Sequence, residues 1–106
     1  MNIINLTNHE INIYNQRKDL VMSVSASGLE ARIITKYHLI NIVDRIPLFK
    51  LIVTEEPIGL PDEKEDTIFI VSGIFRAFYD RKDLYQPGEI IRNNNGQPIG
   101  CIGLSR

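Results

Sequence analysis

Apolar side chains alternate with a period of two over most of this chain and take a helical spacing in one place only. Met1 to Leu6 has the pattern of an opening strand. Thr7-Asn8-His9-Glu10 is a polar turn, and the alternating Ile11 and Ile13 begin a return, which predicts a tight β-hairpin. The spacing of Thr7 and Glu10 also fits a helix capping box, but the period-two alternation that follows favours the turn. Asn15 to Asp19 is a second polar turn, Leu20 to Ser25 a further strand, and Ser25-Ala26-Ser27-Gly28 a small, flexible loop able to admit a ligand. Ala31 to Ile40 sets Ile33, Thr35, Tyr37 and Leu39 against Arg32, Ile34, Lys36 and His38, a long strand with one face more apolar than the other. Asn41 to Arg45 turns the chain, and Ile46 to Thr54 returns it antiparallel. Glu55 to Asp66, with Pro57, Gly59, Pro61 and a run of acidic residues, has the composition of a solvated connection.

The pattern changes at Thr67 to Tyr79. Ile68, Phe69, Ile70 and Val71 follow one another without alternation, as in a strand covered on both faces. Ser72 can cap a helix, and Ile74, Phe75, Phe78 and Tyr79 share one helical stripe facing that strand. The junction aims free backbone N–H groups at one point, with Gly73 allowing close approach, which makes it a candidate anion pocket. Asp80 to Gly88 reads as a loop. Glu89 to Arg92 and Pro98 to Leu104 flank Asn93-Asn94-Asn95-Gly96, the strongest hairpin signal in the chain. These elements predict an α+β fold, a mostly antiparallel β-sheet with one short helix following the central strand.

Composition narrows the function classes. With 106 residues, 43% of them hydrophobic and 24% charged, the chain is expected to form one domain over residues 1–106 that buries most of its apolar side chains in one core. A formal net charge of -1 with scattered Lys and Arg gives no field for a nucleic-acid polymer. No stretch approaches the ~20 apolar residues of a membrane span and no signal peptide is evident, so an intracellular protein with no membrane partner is expected. The lone Cys101 can form neither an intrachain disulfide nor a cysteine-built zinc site, and reads as a small core residue.

Candidate chemistry is sparse. His9 and His38 are the only imidazoles; His38 lies in the polar register of its strand, and His9 sits in the first turn, where it either orients that turn or touches a ligand. No nucleophile elbow, zinc-protease helix, dinucleotide-binding loop or P-loop lysine is present, so no catalytic residue, metal site or cofactor is assigned. Arg32, Arg92 and Arg106 lie next to predicted turns or chain ends, and guanidinium groups bind phosphate bidentately and stack on purines; Arg17, Arg45 and Arg81 have the setting of ordinary loop charges. For any single arginine, an exposed surface charge is the simpler reading, as a core position is for Phe75 and Phe78.

Several short pieces, taken together, resemble a family of small bacteriophage and prophage proteins. They are Ile4-Asn5-Leu6-Thr7 with His9-Glu10-Ile11-Asn12-Ile13, Ser27-Gly28 with Ala31-Arg32, Gly59-Leu60-Pro61, Ile70-Val71-Ser72, Arg81 with Asp83-Leu84, Arg92, and Gly100-Cys101. The pattern is similar to the first type of Thoeris anti-defence protein, a phage sponge for the cyclic ADP-ribose signal made by host TIR-domain enzymes. Asn8 stands where that family usually has proline, which leaves the geometry of the first turn open.

The resemblance implies a homodimer or higher homo-oligomer in the cytoplasm of the infected host. It would hold a cyclised ADP-ribose, such as the glycocyclic isomer, near its subunit interface without turnover. On that reading Arg92 and Arg106 contact phosphate or ribose, and Phe78 lies near the base. Ser72 with Ser27 and Gly28 supplies donors, Arg32 and His9 complete the ligand set, and the Asn93 to Asn95 turn closes over the ligand. Two other classes remain open: a structural or assembly protein of a phage particle, suggested by edge-prone strands, and a nucleotide-degrading enzyme relying on His9, Asp80 or Asp83.

Overall fold

A computed structural model describes residues 1–106. It contains eight strands and one helix: β1 (Asn2–Asn5), β2 (Ile11–Tyr14), β3 (Leu20–Val24), β4 (Thr35–Val43), β5 (Ile46–Val53), β6 (Thr67–Ile70), α1 (Gly73–Phe78), β7 (Leu84–Arg92) and β8 (Pro98–Ser105). Six strands form one sheet in the order β1-β6-β7-β8-β2-β3, and β4 and β5 form a separate two-stranded ribbon. The fold is therefore mostly β with one short helix.

The predicted opening hairpin does not form. β1 pairs in parallel with β6, and β2 pairs antiparallel with β3 and parallel with β8. The Thr7 to Glu10 turn thus carries the chain from one side of the sheet to the other. The physical reason lies in Asn5, which is fully buried. Its amide nitrogen donates to the carbonyls of His9 at 2.8 Å and Val24 at 3.0 Å, and its side-chain oxygen accepts from the Thr7 backbone N–H at 2.9 Å and the Thr7 hydroxyl at 2.6 Å. Ala26, just past β3, bridges to Asn5, and the Ser27 N–H donates to the Asn5 carbonyl at 3.0 Å. The two outer edges of the six-stranded sheet meet at this residue, which covers backbone that an open edge would expose.

Strand β6 lies between β1 and β7, beside an edge of the sheet order rather than at its middle, and both of its pairings are parallel. Half of the six strand pairings in the protein are parallel, although the two longest, β4–β5 and β7–β8, are antiparallel. As its unbroken apolar run requires, β6 is covered on both faces. Phe69 and Val71 pack with Leu6, Ala31, Phe75 and Leu84, while Ile70 packs with Ile11, Ile13 and Cys101. The protein thus has two small clusters on opposite sides of β6 rather than one core. Only 13 of 106 residues are buried, so the expectation that most apolar side chains would be covered is not met.

Other boundaries shift for local reasons. β7 begins at Leu84, well inside the stretch that reads as a loop, because the Leu84 N–H is taken up by Arg81 and the strand accommodates Pro87 opposite Leu104. β4 starts only at Thr35 but runs on to Val43, and its turn is the two residues Asp44 and Arg45, both with positive φ, as a tight hairpin loop demands. Of the predicted helical stripe, Phe75 is fully buried and Tyr79 packs beside it, whereas Ile74 and Phe78 are exposed.

Arg81 is no ordinary loop charge. Its Nε and Nη2 donate to the two carboxylate oxygens of Asp83 at 2.7 and 3.0 Å, and Nη2 also donates to the Pro61 carbonyl at 2.8 Å. Donating to the Asp83 carboxylate raises the guanidinium above its ordinary value, against the opposing effect of burial. The Arg81 side chain is 18% exposed and Asp83 8%, so the pair is shielded and ties the Glu55 to Asp66 connection to the strand ends.

Two predictions test these ties. Asn5→Ala removes four hydrogen bonds of the clasp, of which only the Thr7 hydroxyl to the His9 carbonyl has a ready replacement, and is expected to cost about 3 kcal/mol in urea denaturation; a loss below about 0.5 kcal/mol would mean that the clasp does not hold the sheet. Arg81→Ala strands a shielded carboxylate and is expected to cost about 2 to 3 kcal/mol, slightly below the range for a fully buried pair. Arg81→Lys should recover only part of that, because an ammonium cannot span both carboxylate oxygens and Pro61.

Candidate functional site

Chain segments far apart in sequence meet beside the start of α1. A cavity of about 370 Å³ is lined by Leu6, Thr7, Asn8 and His9 from the first turn, Glu30 and Ala31 from the connection after β3, and Ser72 and Gly73 from the β6–α1 junction. A second cavity of about 470 Å³ shares Glu30, Ala31 and Ser72 and continues over Arg32, Ile33, Ile34, Thr35, Ile58 and Ile74. Ala31 forms the common floor. It is buried, and its N–H donates to the Leu6 carbonyl at 2.9 Å, which joins the connection after β3 to the start of the first turn.

Local chemistry sets the donors in these cavities. Ser72 is extended at φ -67, ψ 159 and accepts from the Phe75 N–H at 3.2 Å through its hydroxyl, as a helix cap does. The N–H groups of Gly73 and Ile74 have no backbone partner, as at any helix start. The Ser72 hydroxyl hydrogen remains available for donation. Arg32 is held on the rim through backbone bonds to Ile58 at 2.8 and 2.9 Å, and its Nε lies 3.6 Å from a Glu30 carboxylate oxygen. Glu30 therefore faces Arg32 at a distance too long for a hydrogen bond, with both side chains exposed. The Glu55 to Asp66 connection is not simply solvated, since Leu60 packs against the core and Gly59, at φ +76, lies against Glu30.

The other candidate residues are placed elsewhere. Ser27 and Gly28 lead toward Glu30 but line neither cavity; Ser27 is bonded to Asn5, and Gly28 has open space around it at φ +95. Phe78 is 37% exposed beyond the far end of the helix stripe and lines no cavity. Arg92 donates to the Gly96 carbonyl at 2.9 Å, and the Asn93 side-chain oxygen accepts from the N–H groups of Asn95 and Gln97, so both close their own hairpin. Arg106 donates to the Lys82 carbonyl and, at 3.1 Å, to Asp80, which Arg76 also approaches at 3.3 Å; its guanidinium lies 5.6 Å from the Tyr85 ring centroid. Within one chain, His9, Arg32 and Ser72 come together, and Phe78, Arg92, Asn93 and Arg106 do not join them.

Sequence reasoning missed Thr7, Glu30, Ala31 and Ile58 as cavity residues. The Gly59-Leu60-Pro61 turn was the available signal that the acidic connection doubles back onto the Ala31 segment. A third cavity, of about 370 Å³, lies on the other side of His9 over Ile11, Pro87, Ile90, Ile99 and Cys101. It is lined by His9 and Glu10 but by no Lys or Arg, and unlike the first cavity it adjoins no arginine-lined one. No group of three or more His, Cys, Asp and Glu side chains is arranged to hold a metal ion, and no helix is long and apolar enough to cross a membrane. No family model, curated protein or solved structure matches the chain.

Gly59→Ala tests how the floor is held. A Cβ there would sit 2.2 Å from the Glu30 carbonyl oxygen in a backbone conformation that side chains resist, so a loss of about 2 kcal/mol is expected in thermal or urea unfolding. Gly28→Ala, with the same sign of φ but open space, should lose clearly less.

Proposed function

We infer that this chain binds a cyclic ADP-ribose-type signal without turning it over. In this reading it acts as a homo-oligomer in the cytoplasm of an infected bacterial host and blocks Thoeris signalling by sequestration. One observation carries the reading: three of the separate motifs that resemble the anti-defence family, at Asn5-Leu6-Thr7 with His9, at Ala31-Arg32 and at Ile70-Val71-Ser72, converge on one pair of adjoining cavities. Their combined size lies in the range of small-molecule sites. A pyrophosphate suits the unpartnered N–H groups of Gly73 and Ile74 and the Arg32 guanidinium, and an adenine suits the apolar wall of Ile58 and Ile74. Sequestration requires abundance and a dissociation constant below the signal concentration.

The proposal centres on His9, Arg32, Ser72 and Gly73, with Ser27 and Gly28 at the approach. Phe78, Arg92, Asn93 and Arg106 are assigned no contact from the same chain. The exposed β4–β5 ribbon favours a second reading, a structural or assembly protein of a phage particle, which predicts no small-molecule binding.

Calorimetric titration with cyclic ADP-ribose isomers, followed by heat denaturation and analysis of the released material, separates these readings. Recovery of intact ligand is expected. Arg32→Ala should weaken binding about 10-fold or more through loss of a charged hydrogen-bond donor. Glu30→Gln should tighten it several-fold by removing the negative charge that faces Arg32, and Arg92→Ala should leave it within about twofold. Absence of binding to every isomer would overturn the proposal, and conversion of the ligand to a new species would make the protein an enzyme.

A further inference from the structure

The β4–β5 ribbon stands apart from the rest of the molecule. Its two strands pair with each other over eight residue pairs and with no other strand. The Cα radius of gyration is 16.6 Å, with axes of 50, 39 and 21 Å, whereas a compact domain of this length has about 13 Å. An isolated two-stranded hairpin is marginally stable in water, so a ribbon of this length calls for a covering surface.

Register shows which face needs it. Directly opposed residues share a face, which puts Tyr37 with Leu51, Leu39 with Phe49 and Thr35 with Val53; beyond the bulge at Ile40, Ile42 joins them opposite Pro47. This face carries no charge. Tyr37 is 72% exposed and Ile42 61%, and the Tyr37 and Phe49 rings meet edge to face at 5.9 Å. The other face is mixed: Lys36, His38 and Lys50 lie toward the body, and Ile40, Val43, Ile46 and Leu48 toward the tip. Only the first face is free of charge along its whole length.

We propose that the apolar face of the β4–β5 ribbon packs against the same face of a second copy of this chain across a two-fold axis. Three features select a second copy as the occupant. The face is flat, uncharged and of one character along its length, so it is complementary to itself under a two-fold rotation, as a symmetric dimer interface must be. Two such ribbons can stack about 10 Å apart with their twists matched. The exposed area of the stripe is on the order of 500 Å² per copy, so a pair removes about 1,000 Å², the area at which specific interfaces begin. Lys36 and Lys50 place like charges on the body half of the other face, which disfavours stacking two copies through it. The inference deepens the homo-oligomer element of the proposed function by assigning its surface, and it holds without the ligand.

Sedimentation equilibrium of the full chain at up to about 100 μM tests it. The expected mass is twice that of the 12.1 kDa chain. Tyr37→Lys and Ile42→Lys should each raise the dissociation constant by about 30-fold or more, with the far-ultraviolet circular dichroism unchanged, while Lys36→Glu on the other face leaves the dimer intact. A second measurement does not depend on charge: Leu39→Cys should oxidise to a covalent dimer, and His38→Cys should not.

A wild-type mass of one chain would overturn both this assignment and the homo-oligomer reading, and its partition onto anionic vesicles would identify a membrane surface as the occupant. A dimer that neither lysine variant weakens would overturn the surface assignment alone. Ligand binding by calorimetry is read separately and stands or falls on the cavity.

Discussion

A single buried amide holds the sheet together. Asn5 lies where β1 ends, and its four side-chain hydrogen bonds reach the first turn and the end of β3. Each bond is modest by itself, but every group it satisfies would be costly if left unpaired. Because the Asn5 backbone also bridges Ala26, this residue brings together the two strands that would otherwise be the free edges of the six-stranded sheet. It also holds the carbonyl of His9, so the wall of the candidate cavity is anchored by the same residue that closes the sheet.

The cavity is built by backbone rather than by a scaffold of charged side chains. Ala31 hangs from Leu6, Arg32 exchanges two backbone bonds with Ile58, and Ser72 caps the helix that Phe75 anchors in the core. Arg81 completes the frame from behind by gripping Asp83 and Pro61. Its charged groups are Glu30 and Arg32, whose side chains lie 3.6 Å apart and are largely exposed.

The same economy of burial explains the ribbon. The body spends its apolar residues on the two sides of β6, and none of that surface extends to β4 and β5. The two small clusters lie in the body, and most apolar residues of β4 and β5 stay exposed. The short strands and parallel pairings of the body join residues far apart in sequence, such as Asn2 with Thr67 and Ile13 with Cys101. These contacts carry a loop-closure cost before any reward, so the locally paired β4–β5 and β7–β8 hairpins are the elements suited to form early.

What the sequence by itself determined was local. The unbroken Ile68 to Val71 run announced a strand covered on both faces, Ser72 the cap, Asn93 to Gly96 the hairpin, and the alternation from Thr35 to Leu39 an apolar face, because period and turn chemistry depend only on near neighbours. The tertiary structure decided which strands pair, and it replaced the opening hairpin with two parallel pairings. A turn between two apolar stretches does not say whether they pair with each other, and the side-chain partners of Asn5 come from 2 to 19 residues away. It also decided that Ser72 lines one cavity with His9 and the adjoining one with Arg32, while Arg92 closes its own hairpin and Arg106 grips Asp80 and Lys82 from the far end of the chain. A guanidinium has the same sequence signature whether it waits for a ligand or grips a neighbouring carbonyl; only the contact made in three dimensions tells them apart.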